Sequence, residues 1–323
     1  MSLQDSLAQA ASYHRIEGAV AAVTHGGRRR AAATGAYASP DALVRTASVQ
    51  KPMVAMAALL AVGTDGLDAP VVDDLPELAD RWRIDRGITL RHLLSHTAGV
   101  HSDLTKEAAF GLGVGDDALA AAVAHVAERG QRFPLGAAWE YCNAGFYLAA
   151  HVLATRAGTS FEQFLADMLF TPLGMASTTF EHETESYPRA RRAAGGLWST
   201  GRDVLTFAEF ALTDPRGRAA LDVMSEPVAE TYLGTPYGLG LQVGGSVLWQ
   251  SGSFAPFGTR LTLVPEQGYA AFVAARGVKR DPVVEEVMRD ELRDLGVSGP
   301  AAAQRAAVSV RAWVRLRRSL LKE

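Results

Sequence analysis

Thiols are almost absent from this chain. Its 323 residues include one cysteine, Cys142, which excludes an internal disulfide. A charge excess of either sign is lacking too: 32 Lys and Arg stand against 35 Asp and Glu, a net charge of −3. That balance gives no general attraction to nucleic acid or to an anionic membrane surface. No uninterrupted apolar stretch is long enough to span a bilayer. The first ten residues hold no basic segment leading into an apolar core, so they do not read as a secretory signal. The expectation is a cytoplasmic protein that binds neither nucleic acid nor membrane. Internal repeats and low-complexity tracts are missing as well. What remains is an ordinary globular composition, 48% hydrophobic and 21% charged, on a length that suits one large domain or two intimately joined ones.

The chain is organised around the stretch from Thr46 to Leu60. From Val54 to Val62 it is nearly all Ala, Leu, Met and Val, the composition of a helix buried on most faces. Its first turn nevertheless carries a hydroxyl, Ser48, and an amine, Lys51. Residues three apart share a helix face, so Lys51 reaches the Ser48 oxygen if the helix starts near Ser48. Pro52 supports that start, since proline is tolerated in a first turn. Burial disfavours the charged form of an amine. A neutral amine beside a serine is a general base, and the serine is then a nucleophile. The bland alternative is a helix cap at Ser48 and a snorkelling Lys51. Ser319 and Lys322 repeat the spacing in a basic tail with no buried helix behind it.

Around this stretch the pattern predicts a helix over 2–14 and a hairpin of Gly18–Thr24 with Arg28–Tyr37. Arg28, Arg29 and Arg30 read as a solvated rim at its turn. The Ser48 helix ends at Gly63 or Gly66, and a loop rich in Pro and Asp follows. A short helix capped by Thr89 and stopped by Gly99 carries His92 and His96. Their spacing of four invites a metal reading. No Glu follows His92, so a hydrogen-bonded structural role is expected instead. Helices are predicted over 116–129, 146–157 and 160–169. Thr200 and Asp203 form a capping pair that opens a helix over 203–212. Short runs over 237–243, 246–250, 258–264 and 269–275 read as an antiparallel meander. Helices over 282–295 and 301–321 close the chain. A lone hairpin is marginal in water, so the strands of both ends are expected to share one antiparallel sheet, with terminal helices on a face.

Several stretches resemble one known family: Ser48-Val49-Gln50-Lys51-Pro52, Leu90 to Gly99, Trp139 to Gly145, Pro172-Leu173-Gly174-Met175 and Gly195 to Thr200. In that order they are similar to the serine β-lactamase and penicillin-binding-protein superfamily, in its class C and esterase-like branch. The resemblance implies an α+β fold, an antiparallel sheet flanked by helices with an inserted, mostly helical domain. Residues 1–47 and 190–323 would form the sheet part and 48–189 the insertion, with the active site in the cleft between. No cofactor or metal is implied.

Within that resemblance Tyr141-Cys142-Asn143 matches the second family motif. Residues two apart in an extended loop point to one side, so Tyr141 would carry protons to and from Ser48, and Asn143 would hold Lys51 and the substrate. Cys142, turned the other way, reads as a small buried hydrophobe. The third motif departs from the family. Gln250-Ser251-Gly252-Ser253 stands where relatives carry a cation on a strand lining the cleft. Gly252 would let substrate approach, and the Ser253 amide would join that of Ser48 in an oxyanion hole. A neutral amide at Gln250 does not replace a charge that pairs with a carboxylate. Arg260, on the next strand, would compensate if it pointed inward, but strand alternation allows either face.

The expected function is a serine hydrolase working through a covalent acyl-enzyme on a small-molecule ester or amide, carboxylesterase-like. The alternatives are an acyltransferase using the same acyl-enzyme with an acyl donor and acceptor, a D-aminopeptidase or β-lactamase, and a catalytically silent binding protein on this fold. No sequence feature sets the oligomeric state.

Overall fold

The computed structural model describes residues 1–101, 104–115, 117–182 and 187–297. The predicted helix over 301–321, with Ser319 and Lys322, lies outside them. Ten strands occur among the described residues: β1 (Gly18–His25), β2 (Arg28–Gly35), β3 (Val44–Arg45), β4 (Trp198–Ser199), β5 (Ala229–Glu230), β6 (Pro236–Tyr237), β7 (Gln242–Gly244), β8 (Val247–Phe254), β9 (Phe257–Val264) and β10 (Tyr269–Arg276). Eight form one antiparallel sheet in the order β2-β1-β10-β9-β8-β7-β6-β5, and β3 pairs with β4 separately. The β1–β10 pairing, from Gly18 opposite Arg276 to His25 opposite Tyr269, joins the two ends of the chain in the shared sheet that the sequence predicts.

Strand periodicity sorts the sheet's side chains onto two faces. Val20, Ala22, Leu248, Leu261, Leu263, Phe272 and Ala274 enter the larger core, with the Gln50–Gly66 helix and most other helices. Ala19, Ala21, Val23, Trp249, Val264, Ala271 and Val273 enter a second core under the Leu3–His14 and Arg280–Asp294 helices. The result is an α+β fold, an antiparallel sheet with helices on both faces. Between β3 and β4 no named strand occurs among the described residues, and the regular elements there are helices joined by loops.

Local signals explain several helix starts. Ser2 accepts from the Asp5 N–H, Thr89 from His92, Ser160 from Gln163 and Thr200 from Asp203. The Thr200–Asp203 pair is not reciprocal, however. The Asp203 carboxylate accepts instead from the Ser177 N–H at 2.8 Å and the Thr178 hydroxyl at 2.9 Å. The expected helix over 160–169 changes period at Ala166 and finishes as a π-helical turn to Phe170. Arg29 and Arg30 are exposed but not merely solvated. Arg29 binds Glu209 and Arg30 binds Glu291, each tying the hairpin to a helix.

Two elements depart further. The predicted strand over 237–243 is broken into β6 and β7. Gly240 sits between them at φ 73, and a Cβ there would lie 2.8 Å from the Lys51 carbonyl oxygen. The chain leaves the strand to pass against the backbone of the Ser48 helix. The helix Pro215–Ser225 was not predicted, although Asp214 caps it and Pro215 opens it. The Ala47–Gly66 stretch is, by length and composition, apolar enough to cross a bilayer, contrary to the expectation for the sequence. It is mostly buried in the protein core, as a core helix is.

Candidate active site

Ser48 lies in a 3-10 turn, Ala47–Val49, that leads into the Gln50–Gly66 helix. The turn is held from two sides. The Thr46 N–H and hydroxyl both donate to the Leu197 carbonyl, at 2.9 and 3.1 Å. The Thr259 hydroxyl donates to the Thr46 carbonyl at 2.7 Å. Ala47 is left-handed, φ 48, a conformation that persists in a residue with a Cβ only where its surroundings impose it. The strained residue stands directly before the candidate nucleophile.

Lys51 is fully buried. Its Nζ lies 3.0 Å from Ser48 Oγ, 2.8 Å from Asn143 Oδ1 and 2.7 Å from the Ala194 carbonyl oxygen. Two of these partners only accept; the hydroxyl both donates and accepts. As a neutral amine, Lys51 satisfies Asn143 and Ala194 with its two protons and turns its lone pair to Ser48. As an ammonium, it donates to all three. The same geometry therefore holds both charge states. On the other side the Tyr141 hydroxyl donates to Ser48 Oγ at 2.7 Å. Ser48 itself is only half-buried.

Asn143 opens the Asn143–Ala157 helix, three residues before the expected start. Residue 142 between it and Tyr141 is extended, and Cys142 points inward, with Sγ near the carbonyls of Val100 and His101. Tyr141 and Asn143 thus share a side and Cys142 takes the other.

The third stretch contributes differently. On β8, Leu248, Gln250 and Gly252 face Ser48's side of the sheet, whereas Trp249, Ser251 and Ser253 alternate away. The Ser253 hydroxyl accepts from Arg280 Nη2 at 3.0 Å, under the Arg280–Asp294 helix. The Ser251 and Ser253 side chains therefore do not converge on Ser48, which leaves their backbone. β9 pairs with β8 from Leu248 to Phe254, but β7 covers the other edge only from Val247 to Trp249. Antiparallel residues alternate the edge to which their N–H and C=O point. With the two-residue loops closing both hairpins, Ser251 and Ser253 direct theirs to the open edge. Gln250 is buried; its Nε2 donates to the Ser251 carbonyl at 3.0 Å, and its Oε1 lies 3.5 Å from the Tyr237 hydroxyl.

Arg260 does not supply the missing cation. It is buried on the opposite face, with Nη1 2.9 and 2.8 Å from the two oxygens of Glu285, and its guanidinium lies over Trp249.

His92 and His96 serve separate hydrogen bonds. His92 Nδ1 meets the Thr89 hydroxyl at 2.8 Å. His96 Nδ1 accepts the Cys142 N–H at 3.2 Å. Burial, then the charge on Lys51, pushes the His96 imidazole well below its usual pKa. Burial pushes the Tyr237 phenol well up, and Tyr141 adds to this. Among the described residues no three His, Cys, Asp or Glu side chains gather as a metal site would require.

Sequence reasoning did not single out the aromatic rings around the site. Trp139 packs against Tyr141, Tyr232 and Tyr237. Arg45 is stacked among Tyr187, Trp198 and Phe254. Trp139 and Tyr141 share one stretch, but Tyr232 and Tyr237, like the rings around Arg45, come from distant parts of the chain that no local spacing links.

A sequence profile described as Beta-lactamase matches residues 3–293. The chain belongs to this family. It is 30% identical over 223 residues to penicillin-binding protein 4 of Amycolatopsis lactamdurans, a match covering 59% of this chain and 57% of that protein. It is 33% identical over 195 residues to Esterase EstB of Burkholderia gladioli, covering 53% of this chain and 49% of the esterase. The chain thus matches only about half the length of these curated relatives. A class C β-lactamase structure from Rhodobacter sphaeroides superposes with a TM-score of 0.75 at 21% identity, covering 90% of this chain and 99% of that one. At that identity the likeness speaks for the fold alone.

Proposed function

We propose that this chain is a serine hydrolase that forms a covalent acyl-enzyme on Ser48, with esters lacking a recognised carboxylate as its substrates. The observation that carries the reading is the paired approach to Ser48 Oγ, by buried Lys51 at 3.0 Å and Tyr141 at 2.7 Å. A serine with a potential base on one side and a phenolic proton donor on the other has both halves of acyl transfer in place.

Ser48 Oγ attacks the ester carbonyl and its proton passes to Lys51. The oxyanion forms beside the amides of Ser48 and Ser253. Collapse breaks the bond to the leaving oxygen, which takes the Tyr141 proton, and the proton held by Lys51 replaces it. Water then attacks the acyl-enzyme, releasing the acid and restoring the Ser48 hydroxyl. Asn143 keeps Lys51 aimed throughout.

The substrate class follows from Gln250. Neither it nor Arg260 offers the site a charge for a carboxylate, and Esterase EstB is among the relatives. Intact-mass analysis after exposure to esters, β-lactams and a fluorophosphonate tests the reading. One covalent addition is expected on the wild type from the fluorophosphonate and from esters, and none on Ser48→Ala. Labelling that persists in Ser48→Ala sinks the assignment. An acyl group that moves to an added amine or alcohol in preference to water makes the chain an acyltransferase.

A further inference from the structure

One residue holds the chain on both sides of Tyr141. The Glu140 N–H donates to the His96 carbonyl oxygen at 3.0 Å, and the Cys142 N–H donates to His96 Nδ1 at 3.2 Å. His96 can present its carbonyl and its ring to one segment because its backbone is left-handed, φ 64. Few residues with a Cβ adopt that conformation, and those that do are held there by their surroundings. The ring also packs against the Tyr141 ring, with centroids 4.5 Å apart, and against Phe146 and Tyr237 at 5.3 and 5.1 Å.

The tautomer follows. A nitrogen that accepts a hydrogen bond carries no proton, so Nδ1 is bare and Nε2 holds the hydrogen of a neutral ring. Nε2 has no hydrogen-bond partner among the described residues. His96 is therefore not available to take the Ser48 proton, although it lies close to the site. We propose that His96 is a positioning residue: it clamps the amides of Glu140 and Cys142 and supports the Tyr141 ring, and so sets the Tyr141 hydroxyl against Ser48. This rests on the proton role proposed for Tyr141.

The test is a set of variants assayed on a p-nitrophenyl ester, with rates counted per Ser48 labelled by fluorophosphonate. Leucine has nearly the outline of asparagine but no acceptor. Asparagine places Oδ1 where Nδ1 stands and tolerates a left-handed backbone. His96→Leu is expected to lower kcat about 10- to 100-fold with KM little changed, the scale of a misplaced catalytic group. His96→Asn is expected to recover most of that loss. In a Tyr141→Phe background neither substitution lowers kcat further, because the hydroxyl being positioned is gone. A merely structural role would lower thermal stability equally in both backgrounds and leave kcat per labelled site alone.

The proposal is overturned if His96→Leu keeps the wild-type kcat while Tyr141→Phe is impaired. It is also overturned if asparagine rescues nothing, or if the loss persists unchanged in the Tyr141→Phe background. A Tyr141→Phe enzyme at the wild-type rate instead removes the proton role of Tyr141, and the clamp's catalytic purpose with it. Should His96→Leu not fold, His96→Gly keeps the left-handed turn without the acceptor and gives the same readout.

Discussion

Gly252 packs directly on the amide of Ser48. A Cβ at Gly252 would lie 2.8 Å from the Ser48 nitrogen and 2.7 Å from the Thr46 carbonyl oxygen, and would collide with the Thr259 hydroxyl. The sequence suggested that this glycine makes room for substrate. The structure shows that it first makes room for the turn that carries Ser48.

Gly252→Ala therefore has to push β8 away from Ser48, because two of the three contacts are backbone. Overpacking of this kind destabilises by about 1–3 kcal/mol. Loss of one oxyanion donor lowers kcat by about 10²–10³-fold. Both effects are expected together, from thermal unfolding and ester turnover. A fully active Gly252→Ala enzyme would mean that the Ser253 amide does not serve the oxyanion.

Lys51→Ala and Tyr141→Phe separate the two proton paths to Ser48. Each removes one hydrogen-bond partner of Oγ, and a positioned acid or base contributes about 10²–10⁴-fold. Fluorophosphonate labelling, which needs an activated Ser48, is expected to slow greatly in Lys51→Ala. Tyr141→Phe is expected to impair esters with poor leaving groups most, since those need the phenolic proton. Near-normal turnover in both variants would place the base elsewhere.

The nearness of Ser48 and Lys51 was legible because it is local: positions three apart on one turn. The common side of Tyr141 and Asn143 was legible for the same reason, from an extended spacing of two. That these pairs meet across the fold rested on the resemblance alone. Arg260 shows the limit of local reading. Strand alternation allowed either face, and the ion pair with Glu285 on a later helix decides it. The break at Gly240 was equally hidden, since its cause is the Lys51 backbone far away in sequence. His96 read as a hydrogen-bonded structural residue because no Glu follows His92; its left-handed backbone and the segment it grips do not show in that spacing.

The histidines set an acid limit to stability. His96, His92, His151 and His101 all lie below the usual imidazole pKa, with burial the first cause in each. Below about pH 6.5 the unfolded chain takes up protons more readily than these rings do in the fold, and buried His96 resists them most. Stability is therefore complete above that pH and is lost as pH falls, by up to about 1.4 kcal/mol per pH unit for fully buried His96 and by less for the three partly solvated rings. Carboxylates held low by arginines, such as Asp68 and Glu209, act only at lower pH. Urea unfolding at about pH 7.5 and 5.5 should show the loss, with a shallower slope in His96→Asn. An unchanged slope would mean that His96 titrates freely in the folded protein.

Gln250 is where the proposed substrate class can be tested. It faces Ser48's side of β8, is 4% exposed and carries no charge, where the family resemblance implies a cation. A charge-assisted hydrogen bond to a carboxylate contributes roughly 1.5–3 kcal/mol, or about 10- to 100-fold in selectivity. Without it, the protein is expected to hydrolyse a neutral p-nitrophenyl ester at least as well as its acid-bearing analogue, and a cephalosporin poorly. Gln250→Lys should shift preference toward the acid-bearing ester by up to that factor. The new ammonium would be buried near the Tyr237 hydroxyl, so its charge is costly without a partner. The preference should therefore sharpen when the substrate carboxylate is present to pair with it. Rates are best compared across pH, since a second cation near Lys51 favours the neutral amine that Ser48 needs. A wild-type enzyme that strongly prefers the acid-bearing ester would defeat the argument. With Arg260 bound to Glu285 on the far face, such a preference would require a cation that Gln250 and Arg260 do not provide, and Arg45 among its aromatic rings would be the next side chain to test.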